Sequence, residues 1–413
     1  MVAEAPRRIR AGPVCRAGSP SLNRSATPTA LNNPNTGQVM NSTNTPFRTI
    51  LPIAVVLCLG ACAGDDDPAW PQLVDAGGGY ETMPLEKDVV VVKVIQHLVA
   101  NMEDFDDPRV GLEENLEKME HWIDTACSQG SKPDFILFNE FPLTGYSRAP
   151  RNEKLDYTIR IPGPETGRLG ERARACDSYV IFGSYVRDDD WPGHILSINT
   201  VIDRRGEIAA EFWKTRNIKR FSTDGGDIPT TTVENVRDRY LDRYGEEQLV
   251  PVLRTEFGNI AVSTVQLDPF VYAAFAMRGV EIMFRTATLF WEIDVRAVAR
   301  YHNMYSAMSN IVFPDDSPAA SLGGNSLIVS PGGDVLAQAS GNSEAIIEAE
   351  IPIADFRAGR TIGRYPLEVL EPVFSQYQGE VPLNHLDLPP GQLPQTRSDM
   401  AELLDRESRW LNE

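Results

Sequence analysis

From Asp88 onward the chain alternates short apolar runs with longer stretches that repeat apolar residues every three or four positions. VVVVKVIQ (89–96) has strand length and suits a strand covered on both faces. Residues 112–127 place Leu, Met, Trp and Ile at helical spacing, which predicts a helix. DFILFNEFPLTGYS (134–147) is an apolar strand that delivers Glu140 at its end, before a Pro/Gly turn. A helix over 165–176 and strands over 179–186 and 196–203 follow. After a turn at Arg204-Arg205-Gly206, another strand, 207–213, runs into Lys214. The insert 223–250 is polar with charge at helical spacing, predicting a surface helix.

The stretch 257–287 holds a β-rich run (260–265), a turn at Asp268-Pro269, an Ala-rich helix (271–277) and a second strand (280–284). Strand, sharp turn, helix and strand is how α/β enzymes present a nucleophile at the top of a sheet. Beyond it, 295–310 reads as one long amphipathic helix. Three strands joined by Gly-rich turns occupy 325–330, 334–339 and 346–351. The tail, 356–413, is Pro-rich and ends in a short charged helix from Arg397.

At 413 residues, with 42% hydrophobic and 23% charged residues, the chain has the composition of a globular protein with a full core. Its net charge of −19 argues against nucleic acid as a partner. The five cysteines form no CxxC or Cys/His cluster and the five histidines are scattered, so neither a metal nor a cofactor is expected. Cys127 and Cys176 fall on amphipathic helices and are expected to be buried structural thiols.

Residues 1–39 are rich in Ser, Pro, Asn, Thr and Arg and cannot fold alone. From Met40, a short polar lead containing Arg48 gives way to an apolar run, 50–61, of signal-peptide length and too short to span a membrane. It closes on Leu59-Gly60-Ala61-Cys62, which resembles the lipobox of bacterial lipoproteins, with Cys62 as the lipidated first residue; a plain signal peptide is the alternative. Met40 is the expected start, and 1–61 the part removed. Losing the net +5 of that segment takes the charge to −24. Residues 62–87, acidic and Gly-rich, read as a tether.

GVEIMFRTAT, with Gly258, Ile260, Ala261 and Pro269 upstream, resembles the nucleophile segment of the nitrilase superfamily of carbon-nitrogen hydrolases, nearest the aliphatic amidases. The resemblance covers 88–355 and implies a four-layer α-β-β-α sandwich of α/β class. It implies that Glu140 matches the general base and that Lys214, after GEIAAEFW, matches the lysine that stabilises the oxyanion. Arg285 and Thr286 then fall in the pocket wall. The family's second glutamate would lie at Ser222, with Asp224 nearby; it is missing or displaced, and Glu234 is a possible substitute. Family members pair through the helices beside the nucleophile strand, and in aliphatic amidases a C-terminal extension wraps the partner. A homo-oligomer is therefore expected here, with 356–413 as the arm.

The family cysteine is absent. Counting forward from Gly258 puts Val265 at its position; counting back from Pro269 puts Ser263 there. A deletion inside a central strand would turn side chains to the wrong face, so the two-residue shortening belongs in the turn, which favours Val265. Without a thiolate, the base and oxyanion groups have nothing to activate. Three readings stand. The first is a lipid-anchored, catalytically degenerate family member that binds a small amide- or carboxylate-like ligand or a protein partner. The second is a hydrolase using Ser263, Thr264 or a water activated by Glu140. The third is a scaffold whose pocket is filled by Val265 and Phe270.

Overall fold

The computed structural model describes residues 73–75, 77–217, 230–363 and 365–410. Cys62, the leader, Ser222 and Asp224 lie outside them. The strands are β1 Val90–Gln96, β2 Phe135–Leu137, β3 Tyr179–Val186, β4 Leu196–Ile202, β5 Ile208–Trp213, β6 Leu253–Thr255, β7 Gly258–Val262, β8 Ile282–Ala287, β9 Tyr305–Asn310, β10 Leu327–Val329, β11 Val335–Gln338 and β12 Ala345–Ile351. The helices are α1 Pro108–Ser128, α2 Arg151–Asp156, α3 Pro164–Cys176, α4 Arg237–Tyr244, α5 Pro269–Met277, α6 Glu292–His302, α7 Ile353–Gly359, α8 Leu367–Phe374 and α9 Arg397–Glu407.

Two six-stranded sheets share one plan, with orders β12-β1-β2-β3-β4-β5 and β11-β10-β9-β8-β7-β6. In each, three parallel strands (β1-β2-β3 and β7-β8-β9) are flanked by antiparallel ones. Strand alternation sorts the side chains into layers. Phe135 and Leu137 of β2 join Val92, Phe257, Ile260 and Phe284 in the core between the sheets. Ile136, one residue out of phase, packs with Leu116, Ile123 and Leu169 under α1 and α3. On the far side, Val295 and Ala299 of α6 pack on Ala287, Met308 and Leu327. Helix, sheet, sheet and helix give the expected four layers.

The one charged residue within the first apolar run has a local explanation. Lys93 of β1 is buried, and its Nζ donates to the carbonyls of Ala126 (2.8 Å) and Gln129, capping the C-terminal end of α1. At the other end of α1, Asp107 accepts from the amide of Arg109, ahead of Pro108 at the first helical position.

Three expectations are corrected. The long helix over 295–310 is α6 followed by β9: Asn303 takes a left-handed conformation (φ 49°) that ends the helix, and β9 pairs between β8 and β10. Cys127 and Cys176 are not free thiols but form a disulfide, Cα atoms 5.7 Å apart, that ties the C-terminal ends of α1 and α3. The β-rich run at 260–265 is also redrawn: β7 ends at Val262, and a short hairpin partner, β6, precedes it.

Beyond α7, residues 365–410 return to their own body. Arg151, buried, donates from its amide to Gln395 O (2.9 Å) and from Nε to Pro394 O (2.7 Å). The amides of Asn384 and Leu386 bond the carbonyls of Glu234 and Asn235, both at 3.1 Å. Leu386, Met400, Leu403 and Leu404 make a small core of their own.

Candidate active site

Glu140 is placed by the end of β2. Past Leu137 the backbone keeps bonding to β3, with Phe138 N to Ile181 O (2.8 Å) and Gly183 N to Asn139 O (3.1 Å). Asn139 Oδ1 accepts from the amide of Phe141 (3.0 Å), turning the chain just past Glu140. Gly183 is required by close approach: a Cβ there would stand 2.4 Å from the carbonyl oxygen of Glu140 and 3.0 Å from Asn199 Oδ1. Lys214 continues β5, its amide bonding Ser197 O (2.9 Å) and its carbonyl accepting from Val233 (3.1 Å). The two meet: Lys214 Nζ donates to Glu140 Oε1 at 3.0 Å, with the carboxylate buried and the ammonium nearly so. An ion pair taken out of water is poor evidence of stability in itself, so a functional reason for keeping it is to be sought.

Asn199, in the middle of β4, links this pair to the other sheet. Its Oδ1 accepts from Thr286 Oγ1 at 2.6 Å. Thr286 thus stands where the two sheets meet, beside the bare Cα of Gly183.

The turn after β7 is packed from below. The amide of Ser263 extends the parallel ladder to Phe284 O (3.0 Å). Its hydroxyl accepts from the amide of Val265 (3.2 Å) and lies 3.4 Å from Tyr272 OH. Thr264 is buried, its hydroxyl without a partner among the described residues. Val265 is wholly buried, and its carbonyl accepts from Arg285 Nη2 (2.8 Å) and from Tyr272 OH. Arg285 is itself fully buried, 2.5 Å from Asp294 Oδ2 and flanked by the rings of Tyr272 and Phe290 at 4.4 and 4.5 Å. Its visible work is therefore to clamp the turn. Burial pushes the Tyr272 hydroxyl up to about 12, which keeps it a donor. Leu267 holds a left-handed conformation (φ 54°), and Asp268 caps α5 while pairing with Arg216. Phe270 does not fill a pocket: it is 62% exposed on the outside of α5.

Sequence reasoning missed Asn199 and the Arg216–Asp268 pair. The signal for the first was present, an amide inside the apolar strand LSINTVI. Among the described residues, no group of three or more His, Cys, Asp or Glu is placed to hold a metal ion.

Two sheets of one plan, with a carboxylate and a lysine meeting at strand ends, match a known family. The carbon-nitrogen hydrolase model aligns with residues 107–361. The chain belongs to the carbon-nitrogen hydrolase family. Nitrilase 3 of Arabidopsis thaliana is 24% identical over 295 residues, covering 60% of this chain and 78% of that protein. An omega-amidase of Xenopus tropicalis is 26% identical over 207 residues, 48% of this chain and 70% of its own length. The amidase of Nesterenkonia sp. AN1, solved in complex with butyramide, is alike in fold: TM-score 0.50 and 17% identity over 68% of this chain and 96% of that one. Membership of the carbon-nitrogen hydrolases and their α-β-β-α sandwich, read from the stretch around 257–287, therefore hold.

Proposed function

We propose that this carbon-nitrogen hydrolase relative has lost covalent catalysis and binds a small amide- or carboxylate-like ligand at the Glu140–Lys214 pair. The observation that carries this reading is Val265. In the alignment that leaves β7 intact, an apolar, buried side chain stands where the family has its cysteine. Ser263 does not fill the gap readily, because its hydroxyl oxygen accepts from the amide of Val265 and no hydrogen bond joins it to Glu140 or Lys214 among the described residues. The ammonium of Lys214 remains suited to a ligand oxygen, and Glu140 to a ligand N–H. Arg285 and Thr286 serve the site by holding its floor and joining the two sheets.

A hydrolase that uses Ser263, Thr264 or a Glu140-activated water is the second reading. The buried hydroxyl of Thr264, unpartnered among the described residues, is the observation in its favour.

The same proposal places the protein on the outer side of a bacterial membrane through lipid on Cys62. The Cys127–Cys176 disulfide supports an oxidising compartment. It also includes self-association through α5, α6 and α8. Phe270, Ile293, Tyr301 and Val373 are each more than 60% exposed there, an apolar face that a lone subunit would leave in water. Sedimentation of the purified protein at micromolar concentration should show an oligomer, and a single monomer boundary throughout would refute the self-association.

Calorimetric titration with butyramide and with butyrate tests the site. Saturable binding to wild type, weakened at least about tenfold in Lys214→Met and Glu140→Gln, is expected. Equal binding by all three proteins would refute the assignment.

A further inference from the structure

Where the C-terminal extension folds back, it walls a cavity of about 250 Å³ against the chain just past Lys214. Arg216 and Glu234 line the body side; Tyr377, His385 and Trp410 line the side of the extension, over a floor of Val381, Met400 and Leu404. Glu140, Lys214, Ser263 and Val265 are not among its walls, so this is a second site.

The carboxyl of Glu234 has no counter-charge of its own among the described residues. Arg216 is already engaged by Asp268 through its Nε. His385 is held neutral: Nδ1 faces Pro382 O at 3.0 Å, Nε2 faces Asn235 Nδ2 at 3.2 Å, and burial lowers its pKa. Glu380 adds a second carboxylate to the wall and accepts from Ser408 (3.3 Å). Glu234 is half-buried, and no donor among the described residues hydrogen-bonds its carboxyl. Burial raises its pKa even with Arg216 nearby. A half-buried carboxyl that has neither a hydrogen-bond donor nor a cation of its own among the described residues gains from a cationic partner.

The rest of the wall suits the missing partner. Tyr377 and Trp410 stand 70% and 54% exposed at the mouth, as aromatic faces that attract a cation. The floor is aliphatic and fits an alkyl stem. The carboxyl of Glu234 disfavours an anion and gains from a cation, whereas a neutral ligand brings it no counter-charge. We propose that this cavity binds a small organic ammonium ion, its charged head at Glu234 between Tyr377 and Trp410 and its alkyl stem on Val381, Met400 and Leu404.

Full-length protein titrated calorimetrically with n-butylammonium, and with n-butanol as the neutral isostere, provides the test. Saturable binding of n-butylammonium in the millimolar range is expected, with n-butanol at least about tenfold weaker. Glu234→Gln should weaken n-butylammonium binding about tenfold, Glu234→Asp should retain most of it, and Trp410→Ala should weaken it severalfold. Melting temperatures of the variants report folding. If Glu234→Gln does not fold, Trp410→Ala and Tyr377→Ala at the exposed mouth decide the matter. Undiminished binding in Glu234→Gln, or in both ring variants, would overturn the proposal. So would equal affinity for n-butanol, or no binding of n-butylammonium at tens of millimolar.

Discussion

Thr286 on one sheet donates a 2.6 Å hydrogen bond to Asn199 on the other, beside the glycine against which Glu140 is packed. Both residues are buried, so each satisfies the other where water does not reach. Thr286→Val leaves Asn199 Oδ1 without its donor and should cost about 1–3 kcal/mol in urea unfolding. Replacing both, as Thr286→Val with Asn199→Leu, should cost less than the sum of the single changes, because no unpaired acceptor remains. Strict additivity in that double-mutant cycle would show that the two sheets are not coupled through this bond.

Acid should weaken the fold through its histidines. Burial lowers all four of His97, His194, His302 and His385, the first to about 3 and the second to about 4. Unfolded, each titrates near 6.5. Between the folded and unfolded values the unfolded chain takes up protons that the folded chain refuses. The histidines therefore make the unfolding free energy rise with pH across about 4 to 6.5, while Glu211, which burial raises to about 7, and Glu234 oppose part of that slope. His97→Phe should remove up to one proton from that slope, about 1.4 kcal/mol per pH unit. Urea midpoints that do not change between pH 5 and 6.5 would contradict this.

The Cys127–Cys176 bridge closes a loop between residues 49 apart in sequence. Loop-closure entropy alone gives it about 4 kcal/mol of stabilisation at most. Cys176→Ser, or reduction of the wild type, should lower the melting temperature by several degrees. Reduced and oxidised proteins that melt together would show that the bridge does not constrain the unfolded chain.

Cys62 is expected to carry lipid. Metabolic labelling with a fatty acid should mark wild type and not Cys62→Ser, and stable anchoring should need more than one chain. Equal labelling of both would remove the anchor from the account.

The strands between 89 and 213 were legible because each is an apolar run of strand length ended by a turn; β3 has the bounds its sequence predicts. The helix drawn over 295–310 failed for a physical reason. VARYHNMYSAM keeps three- and four-residue apolar spacing straight through Asn303, and the left-handed turn that ends α6 leaves no mark in that spacing. The disulfide was hidden because it depends on α1 and α3 ending side by side, a tertiary fact that Cys spacing does not carry. Within the site, the strand-end positions of Glu140 and Lys214 could be read, but their 3.0 Å approach could not. Asn199 and Asp268 needed the second sheet in place before their roles appeared.

On the proposed function, a base and an oxyanion donor survive in this fold without a nucleophile. Ammonia release from aliphatic amides and nitriles, measured side by side for wild type, Ser263→Ala and Glu140→Gln, tests it most directly. Losing a covalent nucleophile removes several orders of magnitude of rate even where other groups still stabilise charge. The account predicts no release above background from any of the three proteins. Wild-type turnover that is lost in both variants would contradict it and establish a serine-dependent amidase. Turnover lost only in Glu140→Gln would contradict it in favour of a water activated by that carboxylate.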